Sequence, residues 1–305
     1  AQLDDVVRTM TEVYQELNRL SLGQGGTGLG NPAGGGNAAA KLQAETGRLP
    51  GPMQRWANQV ASGSSGITAG GARTNLNALW QAKVYPFCER ALNKRYPFDR
   101  SARADVTLQD FGKLFGPNGL IDGFFNENLI TFVDTTSNPW RWKKVNNTDL
   151  GISNAVLSQF QRAAEIRDSF FLSPGLPSVT FDLTPVALDP AAEQVILEVE
   201  GQDLAYAHGP PQVTPLTWPG KAGGRTRVAF TPESAGIENA MIREGPWAWF
   251  RLLDSAEIRR TNVSDRSRVI FNIGGRISVF QLRAGSALNP FTLPALASFR
   301  CPKSM

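Results

Sequence analysis

The run Gly23-Gln24-Gly25-Gly26-Thr27-Gly28 has the GxGxxG spacing with which a glycine-rich turn lets backbone amides approach a dinucleotide pyrophosphate. That fingerprint must follow a strand and open a helix. Here an amphipathic helical pattern precedes it and Asn31-Pro32 follows, so it reads as a loop. Gly220-Lys221 lacks the Ser/Thr and the spacing of a phosphate-binding loop and reads as a hairpin connection. His208 is the single histidine. A general base needs a nucleophile in reach and no GxSxG elbow occurs, so His208 reads as a polar residue at a strand end. With one His, no DxDxDG run, and Cys88 and Cys301 spaced for neither zinc nor a CxxC redox pair, neither metal nor cofactor is expected. Asp110 falls three residues after Thr107, as in a capping box, and Asp99 and Asp105 suit caps or loops near the positive end of a helix. No catalytic set emerges.

The elements that must position these residues change period once, near Pro174. Before it the pattern is helical. Leu3, Val6, Val7, Met10, Val13, Tyr14, Leu17 and Leu20 follow i, i+3, i+4, i+7 spacing and predict one amphipathic helix, which ends in a segment with eight glycines between Gly23 and Gly36. Further helices are expected over 38–47, 50–62, 71–84 and 86–94. Two more follow, one opened by Thr107 and stopped at Gly116-Pro117-Asn118-Gly119, the next carrying Leu120, Phe124, Phe125, Leu129 and Phe132. Ser153 caps a long helix through Val156, Leu157, Phe160 and Phe171.

After Ser173-Pro174-Gly175 apolar residues alternate. Val179, Phe181 and Leu183 face one way against Thr180 and Asp182, as do Val195, Leu197 and Val199 against Ile196, Glu198 and Glu200. More strands are expected over 203–207, 212–217, 225–230, 256–262, 267–273 and 276–282, the last two joined by Gly274-Gly275. One helix, from Pro246 to about Ser255, interrupts them. The class is α+β: an all-helical subdomain over 1–173, then an antiparallel β-sandwich-like subdomain over 174–305 with one inserted helix.

Trp140 and Trp142, two apart in an extended segment, share a side on which they either seal the two subdomains or anchor a partner, with sealing favoured. Trp218, before Pro219-Gly220 at an expected turn, is harder to bury and reads as an interface residue. Charge argues against nucleic acid as the partner. There are 18 basic and 15 acidic residues up to Leu172 and 13 and 12 after it, and Lys143-Lys144 and Arg259-Arg260 are too small to form a basic footprint. No stretch reaches the ~18 apolar residues of a membrane span, and no leader pattern opens the chain.

From Arg95 to Lys143 the sequence holds an ordered set of motifs: Tyr96-Pro97-Phe98, Asp105, Asp110-Phe111, Phe115-Gly116-Pro117, Phe124-Phe125 and Pro139-Trp140-Arg141-Trp142. Tyr85-Pro86-Phe87-Cys88 precedes it. Downstream come Trp218-Pro219-Gly220, Glu244-Gly245-Pro246-Trp247, Phe250-Arg251-Leu252-Leu253, Asn289-Pro290-Phe291 and Phe299-Arg300-Cys301-Pro302. Over roughly residues 80 to 302 this order resembles the C-terminal part of the IcmF/TssM family, the inner-membrane core subunit of the bacterial type VI secretion system. The resemblance implies a structural, non-enzymatic subunit in the periplasm, held at the inner membrane through segments absent from this chain. It also implies a helical part followed by a β-rich part that docks an outer-membrane lipoprotein of the TssJ type, a TssL-type inner-membrane partner, and self-association in a larger complex. The exposed loops around His208 to Gly224, with Trp218, Lys221 and Arg225, are the expected dock. In an oxidising periplasm Cys88 and Cys301 either pair or remain two separately buried thiols, and both readings stay open. The competing classes are an envelope hydrolase with paired carboxylates and a peptidoglycan- or carbohydrate-binding module with a row of exposed aromatics on its β part.

Overall fold

The computed structural model describes residues 7–15, 51–145 and 149–305. The glycine-rich run, the helix expected over 38–47 and the outer turns of the first helix lie outside the described residues. Helix α1 covers 7–15. Then come α2 (Gly51–Lys83), α3 (Tyr85–Leu92), α4 (Leu108–Phe115), α5 (Leu120–Asn128), the short pair β1 (Val133–Asp134) and β2 (Arg141–Trp142), and α6 (Asn154–Phe170). Nine strands follow: β3 (Val179–Leu188), β4 (Gln194–Val199), β5 (Gln202–Tyr206), β6 (Thr214–Trp218), β7 (Arg225–Thr231), β8 (Ala240–Glu244), β9 (Glu257–Arg260), β10 (Arg266–Ile273) and β11 (Arg276–Ala284). Helix α7 (Ala248–Asp254) is inserted between β8 and β9, and the short α8 (Pro294–Ser298) comes last. A helical region followed by antiparallel sheets is thus the observed class.

Where two helices were expected over 50–62 and 71–84, α2 is one helix of 33 residues. Its glycines weaken a helix by about 1 kcal/mol each but, unlike proline, leave the hydrogen-bond ladder intact. Helix α4 starts as its cap predicts, with Thr107 Oγ1 accepting the Asp110 N–H at 3.0 Å. Ser153 Oγ accepts the Val156 N–H at 3.3 Å in front of α6. The chain divides into two compact units, one of Ala1–Pro86, Phe124–Gln161 and Pro302–Met305, the other of Phe87–Gly123 and Arg162–Cys301.

In the first unit Trp80 is fully buried and packs edge-on against Phe124 at 5.1 Å and Phe160 at 5.5 Å. Its indole N–H donates to Pro302 O at 2.7 Å, and Arg73 Nε donates to Met305 O at 3.0 Å. The C-terminal residues are therefore tied to α2 by backbone carbonyls. Trp140 stacks on Phe125 at 5.1 Å, and Trp142 donates to Ser153 O at 3.4 Å. After β1, Asp134 accepts hydrogen bonds from Ser137 Oγ at 2.6 Å and from Thr136 Oγ1 and N–H at 2.6 and 3.0 Å. The Ser137 bond first, then those of Thr136, hold its carboxyl down at about 2 from an ordinary 3.8. A depressed carboxyl stabilises above its unfolded pKa and loses that contribution as pH falls through the folded one. A carbon-detected NMR titration should therefore place the Asp134 midpoint near 2, and Ser137→Ala should raise it. A midpoint at the ordinary value in the parent chain would refute the turn.

In the second unit the strands form two antiparallel sheets, in the orders β6-β3-β11-β10-β9 and β5-β4-β7-β8. Alternation puts Phe181, Leu183, Val269, Phe271, Phe280 and Leu282 of the first sheet, and Val195, Leu197, Val228 and Phe230 of the second, on buried faces. Ile273 pairs with Arg276 across Gly274-Gly275, both at positive φ, giving the expected two-residue hairpin. Strand β8 was not expected: Ala240–Glu244 shows weak alternation and gains its status by pairing with β7. Pro215 lies in the edge strand β6. An edge tolerates a residue without an N–H.

The motifs of the second unit meet in one network. Arg251 donates to Asp105 Oδ1 through Nη2 at 2.5 Å and Nε at 3.1 Å and to Ala102 O at 3.0 Å, and its guanidinium lies 4.1 Å from the Tyr96 ring centre. Tyr96 OH donates to Asp254 Oδ2 at 2.8 Å, which Arg100 also pairs. Burial, then the charge of Asp254, push the Tyr96 hydroxyl above its ordinary range. Trp247 donates to Val106 O at 2.8 Å. Gly245 has φ +99°, and a Cβ there would sit 2.4 Å from Asp105 Oδ2, so only glycine fits beside that carboxylate. Arg251→Ala should lower stability by about 2–3 kcal/mol, because it leaves a largely buried Asp105 carboxylate unpaired. Arg251→Lys should recover only part of that loss, lacking the fork. Chemical denaturation of the three proteins decides, and equal stability of parent and Arg251→Ala would refute the network.

Candidate partner-binding surface

The four residues expected to form a dock separate into two environments. Trp218 closes β6 and is 0% exposed. Its ring meets Trp247 and Phe250, each at 4.8 Å, and Phe170 at 6.0 Å. The expectation of an exposed Trp218 is therefore corrected: the turn starts after it, and the strand's inward phase turns its indole into the core. Lys221 is exposed on the β6–β7 connection and Arg225 at the start of β7, with Arg225 Nη1 3.3 Å from Glu198 Oε2. His208 is exposed on the β5–β6 connection at φ +55°, and its Nε2 lies 2.7 Å from Ala192 O. A carbonyl only accepts, so Nε2 carries the proton and donates. That bond ties His208 to the β3–β4 connection, away from residues 219–224.

The β6–β7 connection is built from below by residues that alternation misassigned. Glu200, expected on the outward face of β4, is 1% exposed in the β4–β5 turn at φ +49°. Its Oε2 accepts the Gly220 N–H at 2.6 Å, and its backbone O accepts from Ala222 at 3.3 Å. Burial raises its pKa, opposed by the Gly220 and Trp218 N–H groups. Gly220 has no room for a side chain, since a Cβ would lie 2.5 Å from Glu200 O. The Gln202 side chain donates to Thr217 O at 2.7 Å and accepts from Thr217 N–H at 2.9 Å. It thus completes the ladder of edge strand β6 as a neighbouring strand would. The available signal was Glu200-Gly201 between two alternating runs, a turn signature rather than a strand continuation.

A groove of about 810 Å³ lies on the five-stranded sheet and is lined by residues that include Asp182, Thr217, Asp265 and Arg283. Arg283 stands 3.9 Å from Asp182 and 3.5 Å from Asp265, so both carboxylates are partners of one cation rather than an acid and base facing a substrate. Among the described residues no group of three His, Cys, Asp or Glu side chains is placed to hold a metal. The phenylalanines and tryptophans of the β part, including Phe181, Trp218, Phe230, Trp247, Phe271 and Phe280, are buried, which removes the aromatic row that a carbohydrate-binding face would use. The large apolar side chains that this part exposes are aliphatic, among them Val186, Val213, Ile242 and Ile277. Cys88 and Cys301 form a disulfide, with Cα atoms 6.2 Å apart. Of the two readings left open, pairing is the one observed.

Two family models match the chain in order: the type VI secretion protein IcmF helical domain over residues 71–175 and the IcmF C2-like domain over 181–286. Together they cover more than half of it. Type VI secretion system component TssM1 of Pseudomonas aeruginosa is 37% identical over 310 residues, and the alignment takes in 100% of this chain and 28% of that protein. The chain thus spans little more than a quarter of its curated relative. Among solved structures, the C-terminal domain of the T6SS protein TssM from EAEC is similar at 24% identity with a TM-score of 0.68, covering 77% of this chain and 98% of that one. A chain from a type VI secretion system membrane core complex is similar at 21% identity with a TM-score of 0.71, covering 87% and 56%. At these identities the solved structures speak for the fold. With the ordered motifs, the two matched domains and the alignment of the whole of this chain to part of TssM1, the chain belongs to the IcmF/TssM family of type VI secretion proteins.

Proposed function

We propose that the chain is a structural, non-enzymatic part of a type VI secretion membrane complex, residing in the periplasm. Its helical part (1–173) and β-rich part (174–305) act as scaffold, and the β-rich part docks an outer-membrane lipoprotein of the TssJ type. A TssL-type inner-membrane subunit and further copies of the same subunit are its other partners. The observation that carries this reading is the 37% identity to a type VI secretion component along the whole chain. The Cys88–Cys301 disulfide supports an oxidising compartment. Among the described residues no helix is long and apolar enough to cross a membrane.

The dock is assigned to the exposed stretch carrying Lys221 and Arg225, with Trp218 acting behind it as core, while His208, held to the β3–β4 connection, stands apart from it. The test is surface plasmon resonance of the chain against the soluble domain of a TssJ-type lipoprotein from the same genome. The parent should bind. Lys221→Glu combined with Arg225→Glu should weaken binding about tenfold, since charge reversal at a rim acts on both association and fit. Undiminished affinity would move the dock elsewhere on the chain, and absence of binding by the parent would defeat the docking reading itself.

A further inference from the structure

Strands β9, β10 and β11 set arginine opposite arginine on the outward face of the five-stranded sheet. Arg268 is opposite Arg259, and Arg266 is opposite Arg283. Directly opposed like charges destabilise an antiparallel pair, and strands avoid them unless something else gains from the arrangement. All four side chains are exposed. Arg283 and Arg266 share Asp265, at 3.5 and 3.9 Å, and Arg259 holds Glu257 at 2.6 Å. Arg268 has no partner among the described residues. The row that crosses the sheet through Arg259, Arg268, Gln281 and Thr184 contains no carboxylate.

The four-stranded sheet shows the opposite habit. There Arg225 is opposite Glu244, and Glu198, although opposite Asp203, has Arg227 on its other side and Arg225 at 3.3 Å. On the four-stranded sheet Arg225 and Arg227 each meet a carboxylate directly across a strand; on the five-stranded sheet Arg283 does so, opposite Asp182 at 3.9 Å, but Arg259, Arg268 and Arg266 do not. Between the arginines of the five-stranded sheet lie Ile270, Val279 and the 40% exposed Ile277. Residues 257–284 contain no lysine at all. Arginine with aliphatic residues and without lysine is the composition of a protein interface rather than of a generally basic surface. The guanidinium fork binds a carboxylate through two parallel hydrogen bonds.

We propose that the outward face of β9, β10 and β11 docks an acidic segment of another protein, its carboxylates on Arg259, Arg268, Arg266 and Arg283 and its apolar side chains on Ile270, Val279 and Ile277. This surface is distinct from the lipoprotein dock around Lys221 and Arg225 and stands whether or not that reading holds. The probe is a fluorescein-labelled peptide of alternating glutamate and valine, followed by anisotropy with the whole chain. Arg259→Glu combined with Arg268→Glu should weaken its binding about tenfold. Arg103→Glu combined with Lys144→Glu, the same change in net charge at exposed sites elsewhere, should leave it within about twofold. Arg268→Thr separates binding from folding: it should weaken the peptide severalfold while leaving the melting temperature equal or higher, because it removes a repulsive cross-strand pair. Equal losses in the face and control variants would overturn the proposal. So would a fall in melting temperature with Arg268→Thr, or binding to phosphatidylglycerol vesicles without binding to the peptide.

Discussion

Replacing Cys88 and Cys301 together by alanine is expected to lower stability by roughly 2–5 kcal/mol, the range found when native disulfides are removed. The bond closes a loop across a sequence separation of 213 residues. Chain entropy alone puts the stabilisation from a loop of that size near 5 kcal/mol, most of it through the unfolded state. Cys88 is fully buried in α3, and Cys301 follows Phe299, which packs on Phe115 at 5.0 Å and Phe98 at 6.0 Å. The bond therefore joins two well-packed segments and does not depend on a mobile tail. A reductant should lower the thermal midpoint of the parent and leave the double variant unchanged. Two free thiols titrating in the unreduced, denatured chain, or a parent indifferent to reductant, would refute it.

Trp218→Ala is expected to cost about 3–5 kcal/mol, as truncation of a fully buried large aromatic does. The indole is surrounded by Trp247, Phe250 and Phe170, so its loss leaves a cavity among rigid rings that cannot collapse onto it. Near-UV circular dichroism should lose part of the tryptophan signal, and the denaturation midpoint should fall. Lys221→Glu should leave both measures unchanged, because that side chain is exposed. Since Trp218 was an interface residue on sequence grounds, the pair of variants separates core from dock. A Trp218→Ala chain as stable as the parent would contradict its placement in the core.

The reason Trp218 misleads is that alternation has a phase as well as a period. Thr214, Leu216 and Trp218 share a side of β6, and Leu216 and Trp218 are buried on it. Placing the strand end one residue early left the tryptophan in the turn. Glu200 misleads in the reverse sense, since the β4 pattern continues through it on paper while the chain has already turned into Gly201 at φ +83°. Ends of elements depend on hydrogen bonds to distant residues, here Gly220 and Ala222. By contrast the Thr107 cap, the Gly274-Gly275 hairpin and the inserted helix were legible because each rests on neighbours within a few residues.

Residue order alone determined the class of fold, the change from helical to strand period near residue 174 and the family, because period, caps and ordered motifs are local and survive without a structure. It also showed that the lone His208 has no GxSxG companion motif. Only the tertiary structure decided that Cys88 meets Cys301, that Asp105 and Arg251 form one network across 146 residues, and that arginines meet across strands on one sheet face but not on the other. These are pairings between distant stretches. Their existence depends on strand register and on which side of a sheet is buried, and register is set by the summed packing of whole elements rather than by any residue within them.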